Sequence, residues 1–520
     1  MPTNRCTLSG TINGFHHEKR SSCLSNQLGI VERSRGLKGA LASSLVGQGL
    51  RARVARGGAW LGSGSFAEQA CRFARNMLLA RLLAPQAFGA MAIVLSASSL
   101  ITSFSDVGVL PAIIHNPRGG TAPYLNAAWW LGMARSLFVY ATIFISAPWI
   151  AHFYGNAVLT GLLRVALLST ILDGMLSPRS KLAQKEMKFG RWAFISNGGA
   201  ICGVTVTIVL SFVLRDVWAL AIGYCSENAF RCLFSYIVYP SLPSLDWDRS
   251  AFSDLLHFSK GMFGLSFLNL LFARTDIFVL GKLHSAEALG LYALAVNLVQ
   301  TPTTFLINML SQTLLPAFAH VQSDMQRLNR ILTEVTTWVV LAGAPAMAVI
   351  WLCGSSLLTV FYGHRYGVPG PAHALALAAA VALLNTLNSM ITSLFFATGE
   401  PGLHRRAVAM SAISMVIVIY PACKFLGLAG GQVAALIAIA SSYALQVLRI
   451  RHITGLNVLR YVRAFAPAGL AAVSVLAMSI AARGLGLGKS PFSNIAIAST
   501  ACMGAYVLCL PLFVKFRKTA

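Results

Sequence analysis

The sequence predicts an all-α polytopic membrane protein of about fourteen transmembrane helices, arranged as two pseudo-symmetric six-helix bundles followed by an extra C-terminal helix pair. Three observations predict it. Hydrophobic residues make up 56% of the 520-residue chain and charged residues only 11%, against roughly 25% charged in soluble domains, and mean hydropathy is +0.67. Apolar runs long enough to cross about 30 Å of hydrocarbon recur along the chain. One passage also occurs twice: Leu79-Ala-Arg-Leu-Leu-Ala-Pro-Gln-Ala-Phe-Gly-Ala-Met-Ala92 realigns without a gap on Leu280-Gly-Lys-Leu-His-Ser-Ala-Glu-Ala-Leu-Gly-Leu-Tyr-Ala293. Phe153-Tyr-Gly155 returns as Phe361-Tyr-Gly363, and Leu172-Asp-Gly-Met175 as Leu387-Asn-Ser-Met390, in the same order. Three anchors in register read as an internal duplication, the way many membrane carriers are built.

Residues 1–56 are polar and rich in Ser, Gly and Arg, without the apolar run of a signal peptide. They are expected to be a disordered cytoplasmic extension, or the product of a start codon placed too early. The first lobe, 57–240, carries spans near 58–80, 88–112, 124–150, 158–178, 192–214 and 217–239. The polar break Pro240-Ser-Leu-Pro-Ser-Leu-Asp-Trp-Asp-Arg249 marks an inter-lobe linker over 241–253. The second lobe, 254–452, carries spans near 254–280, 289–318, 332–360, 371–397, 406–422 and 428–448. A final pair near 464–482 and 492–514, with a basic tail, completes 453–520. A backbone in lipid must satisfy its own hydrogen bonds and no period-2 barrel pattern is present, so these spans are helices. Prolines 148, 302, 316, 345 and 421 fall inside them and offer bends. Gly58-x-x-x-Gly62 and Gly199-x-x-x-Gly203 fit close helix packing.

The net charge of +25 invites a nucleic-acid reading, which its distribution rejects. With the N-terminus inside, 27 of the 41 Lys and Arg fall on the cytoplasmic side, seven outside and seven within spans. That bias is topology, with attraction to anionic membrane lipids as a consequence; both termini are expected in the cytoplasm. The ten cysteines form no Cys-x-x-Cys pair, so neither a disulfide framework nor a metal site is expected. No P-loop, His-Glu-x-x-His, Gly-x-Ser-x-Gly or dinucleotide turn occurs; no cofactor and no enzymatic activity are expected.

Charges inside spans carry the functional information, because each costs a few kcal/mol unless paired or facing water. Span one holds Glu68, Arg72 and Arg75 on one helix face, span two Asp106, span three Arg135, span four Arg164 and Asp173, and span six Glu227 and Arg231. In the second lobe Lys260, Arg274 and Asp276 intrude. Glu68–Arg72 and Glu227–Arg231 also fit intrahelical ion pairs that only neutralise each other. The repeat places Arg75 on Asp276 and Glu68 on Asn269, polar groups at matching depths that would flank a shared central cleft. The expected substrate-binding set is Arg72, Arg75, Arg135, Arg164, Arg231 and Arg274, a basic lining suited to an anionic passenger. Glu68, Asp106 and Asp276 are the candidate cation or ion-pair acids.

Leu78-Leu-Ala-Arg-Leu-Leu-Ala-Pro-Gln-Ala-Phe-Gly89, followed by Phe104-Ser-Asp-Val-Gly108, resembles the opening of the bacterial polysaccharide-export flippases, the Wzx-type members of the multidrug/oligosaccharidyl-lipid/polysaccharide exporter superfamily. Arg274-Thr-Asp-Ile-Phe-Val-Leu-Gly-Lys282 and Ala288-Leu-Gly-Leu-Tyr-Ala293 resemble the start of that family's second lobe, and Leu426-Gly-Leu-Ala-Gly-Gly431 its turn between helices eleven and twelve. The resemblance spans roughly residues 50–515. It implies two six-helix bundles in a V shape in the bacterial inner membrane. The passenger it implies is an undecaprenyl-pyrophosphate-linked oligosaccharide carried to the periplasmic leaflet, with membrane lipids and other polysaccharide export proteins as partners. Three alternatives stand beside it. A lipid II flippase shares the fourteen spans and the anionic lipid. A drug/cation antiporter of the same fold would want an acid-dominated cleft and about twelve spans. A membrane glycan polymerase or ligase would want large outward loops, which are lacking.

Overall fold

The computed structural model describes residues 68–519 except 105–112, 114–115, 186–188, 245–247, 263–264, 464 and 485–489. The expected N-terminal extension and Asp106 lie outside these residues. The described residues are helical throughout, with no strand among them. The first lobe comprises α1 (68–82), α2 (Pro85–Phe104), α3 (Ala122–Tyr154), α4 (Val158–Ala166), α5 (Leu168–Gly174), α6 (Phe189–Leu214) and α7 (Trp218–Val238). After it come α8 (Arg249–Met262), α9 (Leu265–Leu283), α10 (Ala286–His320), α11 (Met325–Tyr362), α12 (Pro369–Ala397), α13 (Pro401–Leu426) and α14 (Leu428–Thr454), then α15 (Ala466–Gly484) and α16 (Pro491–Thr519).

Nine helices among the described residues are long and apolar enough to cross a membrane, and the chain is a multi-pass membrane protein. Several of the remaining expected spans fall on helices that are short, interrupted or charged. The span expected at 158–178 is broken at Leu167, where Ser169 Oγ donates to the Ala166 carbonyl oxygen at 2.5 Å and competes with the helical ladder. The span expected at 254–280 falls, on either side of residues 263–264, which lie outside the described residues, on α8 and α9. Their packing differs: Ala251 and Leu255 of α8 join a core with Ile113, Tyr124, Leu125 and Leu131 of the first lobe, and Arg118 pairs with Asp254 at 3.0 Å. Asp248 caps α8, accepting from the Ser250 and Ala251 amides at 2.9 and 3.2 Å. The Ser250 hydroxyl, followed by these amides, holds its carboxyl below the usual aspartate value.

Helix ends follow local chemistry. Ser285 and Asp324 accept from Ala288 and Arg327 amides at the starts of α10 and α11, as N-caps do. Pro85, Pro369 and Pro401 open helices at first-turn positions where no amide is needed. Prolines 148, 302, 316, 345 and 421 all lie inside helices. Gly199 and Gly203 let α6 lie against α7: a Cβ at Gly203 would stand 2.6 Å from Glu227 Cα. The final pair rests on α11, where Tyr506 donates to the Ala342 carbonyl oxygen at 2.8 Å and Ala348 packs with Val475 and Ala501.

The largest core joins both lobes. It contains Leu79, Leu83, Phe88 and Val94 from the first lobe and Leu280, Leu289, Tyr292 and Leu358 from the second. At the opposite end of the helices two further cores are separate from each other, one where α8 packs on the first lobe around Leu125 and Leu255, and one in the second lobe around Phe318, Leu332, Ile391 and Ile450. The joined end is where the duplicated passages meet. A Cβ on Gly89 would run into the Ala286 carbonyl oxygen, and a Cβ on its repeat partner Gly290 would run into that of Pro85. Gln86 bonds Glu287 at 2.9 Å, again two equivalent positions. Arg81 Nη2 donates to the Val360 carbonyl oxygen at 2.7 Å, in the last turn of α11, while Lys282 Nζ donates to that of Phe153 at 2.6 Å, in the last turn of α3. Each lobe therefore caps a helix C-terminus of the other, a reciprocity that marks a pseudo-two-fold axis.

Candidate functional site

About 13 Å of helix separates Arg72 from Arg81, so Arg72 lies near the middle of a ~30 Å bilayer core. There α1 and α7 share a box of four charges. Glu68 Oε1 accepts from Arg72 Nε and Nη2 at 3.1 and 3.0 Å and from Arg231 Nη2 at 3.5 Å. Glu227 takes Arg72 across the helix pair and Arg231, one turn along its own helix, at 3.1 Å. The two expected intrahelical pairs are both present and are cross-linked into one network. Exposure is uneven: the Glu227 side chain is 3% exposed, those of Glu68, Arg231 and Arg72 23%, 25% and 27%. Glu227 is thus the fixed member and the other three border a more open space. Arg231 Nε is buried without a hydrogen-bond partner among the described residues.

Arg75, one turn above Arg72, spans the side-chain oxygen of Asn76 at 3.3 and 3.2 Å and makes no ion pair among the described residues. Arg135 donates to the Thr102 carbonyl oxygen at 2.9 Å, in the last turn of α2. Lys181 is drawn in beside Asp173 and Arg135; burial holds its ammonium below the ordinary lysine value, and Asp173 opposes this. Arg164 lies 4.1 Å over the Phe144 ring of α3, with its Nε buried and unpartnered among the described residues. Arg274 is half-buried on α9. Of the six expected arginines, the structure brings Arg72 and Arg231 into one network, with Arg75 a turn away. It places Arg135 and Arg164 on other contacts.

Asp276 is buried in the second lobe, 8% exposed. Tyr292 Oη donates to its Oδ2 at 2.6 Å, Gln432 Nε2 donates to that hydroxyl at 2.6 Å, and the Ile277 amide meets Oδ1 at 2.8 Å. Gly431 makes this possible, since a Cβ there would stand 2.8 Å from the Tyr292 hydroxyl. Tyr292 belongs to the repeated passage and Gln432 follows the Gly430-Gly431 pair, but neither has a spacing that marks it as a partner of Asp276. No group of His, Cys, Asp or Glu suited to a metal ion occurs among the described residues.

Comparison with known proteins follows this geometry. Residues 78–369 match the polysaccharide biosynthesis protein family. The lipopolysaccharide biosynthesis protein WzxC of Escherichia coli is 24% identical over 62% of this chain and 65% of its own. The succinoglycan biosynthesis transport protein ExoT of Rhizobium meliloti is 22% identical over 58% of this chain and 60% of its own. The chain thus spans rather less than two thirds of the length of these relatives. The lipid II flippase MurJ in an inward closed conformation shares the fold, with a TM-score of 0.72 at 13% identity over 88% of this chain and 99% of that one. An inward-facing multidrug resistance MATE transporter follows at 0.57, 14% identity, 75% of this chain and 94% of its own. Both copies of the duplicated passage fall within the family match, which covers more than half of the sequence: the chain belongs to the polysaccharide biosynthesis protein family.

Proposed function

We propose that this protein is an inner-membrane carrier that moves polyprenyl-pyrophosphate-linked oligosaccharide units from the cytoplasmic to the periplasmic leaflet by alternating access. It acts without catalytic chemistry. One observation carries the reading: the lobes share a core at the 79–92/280–293 end, while at the other the first lobe, with α8 packed on it, has a core separate from that around Phe318 and Ile391 in the second. The basic loops belong to the separated end, so both termini and the open side are assigned to the cytoplasm. The partly exposed Glu68, Arg72 and Arg231 of α1 and α7 lie at mid-depth, where a charged headgroup pays most for leaving water. The names of the polysaccharide-synthesis relatives agree with such a passenger.

A pyrophosphate headgroup carries about two negative charges. Each is worth about 2.3 kcal/mol per 100 mV, so an inside-negative potential drives outward transfer by roughly 4–5 kcal/mol without a coupling ion. In proteoliposomes with an imposed potential and no ion gradient, flipping of the lipid-linked glycan should accelerate. Arg75→Gln should abolish it, and Arg75→Lys should restore it partly, because an ammonium lacks the guanidinium fork. Indifference to potential with strict dependence on sodium or protons would overturn the energy source. It would favour the ion-coupled antiporter reading, for which Asp276, buried and held by Tyr292, is the observation.

A further inference from the structure

The charge box on α1 and α7 is neutral as it stands, with two carboxylates for two guanidiniums, and a neutral box does not attract a dianion. Its members are not equally held. Glu227 is sealed in: α6 presses on its backbone through Gly203 and it is nearly inaccessible. Glu68 sits on the open side, on a single oxygen: Oε1 takes all three arginine contacts, at 3.0, 3.1 and 3.5 Å, while Oε2 makes no hydrogen bond among the described residues. Arg231 is meanwhile left with a buried Nε that nothing among the described residues satisfies. Two guanidinium groups converging on one oxygen, with a donor to spare, is an arrangement that a phosphoryl group with three oxygens satisfies better than one carboxylate oxygen does.

We propose that Glu68 is a built-in stand-in for the passenger's phosphate, occupying the Arg72–Arg231 fork until an anionic phosphoryl group displaces it. This rests on the reading of the site as the headgroup site of an anionic lipid carrier. The site takes a diphosphate ester: one phosphoryl group replaces Glu68 between Arg72 and Arg231, Glu227 keeps the two arginines oriented, and Arg75 faces the added charge. The displacement sets specificity. An uncharged glycolipid leaves the box closed on itself, while a diphosphate opens it. It also keeps the site from holding a naked pair of arginines at mid-depth after release.

The test uses the full-length protein in detergent, with inorganic pyrophosphate as the probe at fixed chloride. If the fork is free in about a tenth of molecules, removing the internal competitor raises apparent affinity about tenfold. Glu68→Gln should therefore bind pyrophosphate about tenfold tighter than wild type, and Glu68→Gln/Arg231→Gln should lose that gain. Equal or weaker binding by a folded Glu68→Gln, with wild-type binding measurable, overturns the stand-in and leaves the carrier reading intact. Binding by neither protein removes the headgroup site itself. A second measurement needs no variant: saturating pyrophosphate should raise labelling of Glu68 by a carboxyl-reactive carbodiimide, read by peptide mass spectrometry. Unchanged or reduced labelling overturns the proposal.

Discussion

At the joined end of the molecule, Gly89 and Gly290, Gln86 and Glu287, and Arg81 and Lys282 do the same work from opposite lobes. Part-way along the same two helices the copies part: Glu68, Arg72 and Arg75 stand opposite Asn269, Ala273 and Asp276 in the repeat register. Symmetry survives where the two copies touch each other, since a contact across a pseudo-two-fold needs compatible residues in both. It is lost where each copy touches something else. The first lobe keeps a partly exposed charged box, while the second buries Asp276 under Tyr292 and Gln432. On the proposed reading, one region holds the lobes together and the other distinguishes the passenger.

The largest effect that would break this comparison is at Glu227. Glu227→Gln leaves two guanidiniums sharing only the more exposed Glu68 carboxylate, and removing one partner of a buried charge network costs about 3–5 kcal/mol. The apparent melting temperature of the detergent-solubilised protein should fall well below that of Glu68→Gln, whose carboxylate is more exposed. Equal falls would show that the box has no fixed and displaceable members. At the second lobe's counterpart depth, Asn269→Ala should have little effect on melting.

How much of this was legible beforehand follows from the same contrast. The passages 79–92 and 280–293 were found as a repeat because the axis contact preserves their identities, and they prove to be the inter-lobe contact. The i, i+4 charge pairs were legible because helical spacing fixes neighbours on one helix. The joining of Glu227 to Arg72 was not, because sequence does not fix which way a helix faces in a bundle. Asp276 was read as a cleft acid by its register, but its cover comes from Tyr292 on the next helix and Gln432 on α14, contacts that no local pattern encodes. The packing of α8 on the first lobe was also hidden: hydropathy runs across 254–280, while the pairing of Asp254 with Arg118 joins residues far apart in the sequence.

A smaller effect is expected at the axis. Gly89→Ala and Gly290→Ala each set a methyl group against a backbone carbonyl of the opposite lobe, and backbone has no rotamer to give. Overpacking of this kind costs about 1–3 kcal/mol, and the two substitutions should cost alike, read as matching falls in melting temperature and in glycan export. A large cost for one and tolerance of the other would mean that the contact is not shared symmetrically.

The smallest effect concerns the reciprocal caps. Arg81 and Lys282 are exposed and each meets the carbonyl end of a helix in the other lobe, an interaction worth about 0.3–1 kcal/mol and weakened by salt. Arg81→Gln and Lys282→Gln should each lower the melting temperature slightly, with the difference from wild type shrinking as salt is raised. Their carbonyl partners lie on different helices, α11 and α3, so the double variant should show the sum of the single effects. If the protein is the alternating-access carrier proposed above, its lobes part for the outer side to open, and the double variant should also shift it toward opening there. Cysteine accessibility at position 86 should rise in the double variant. If it stays at the wild-type level while melting falls, the caps stabilise their helices alone and the glycine crossing holds the lobes together without them.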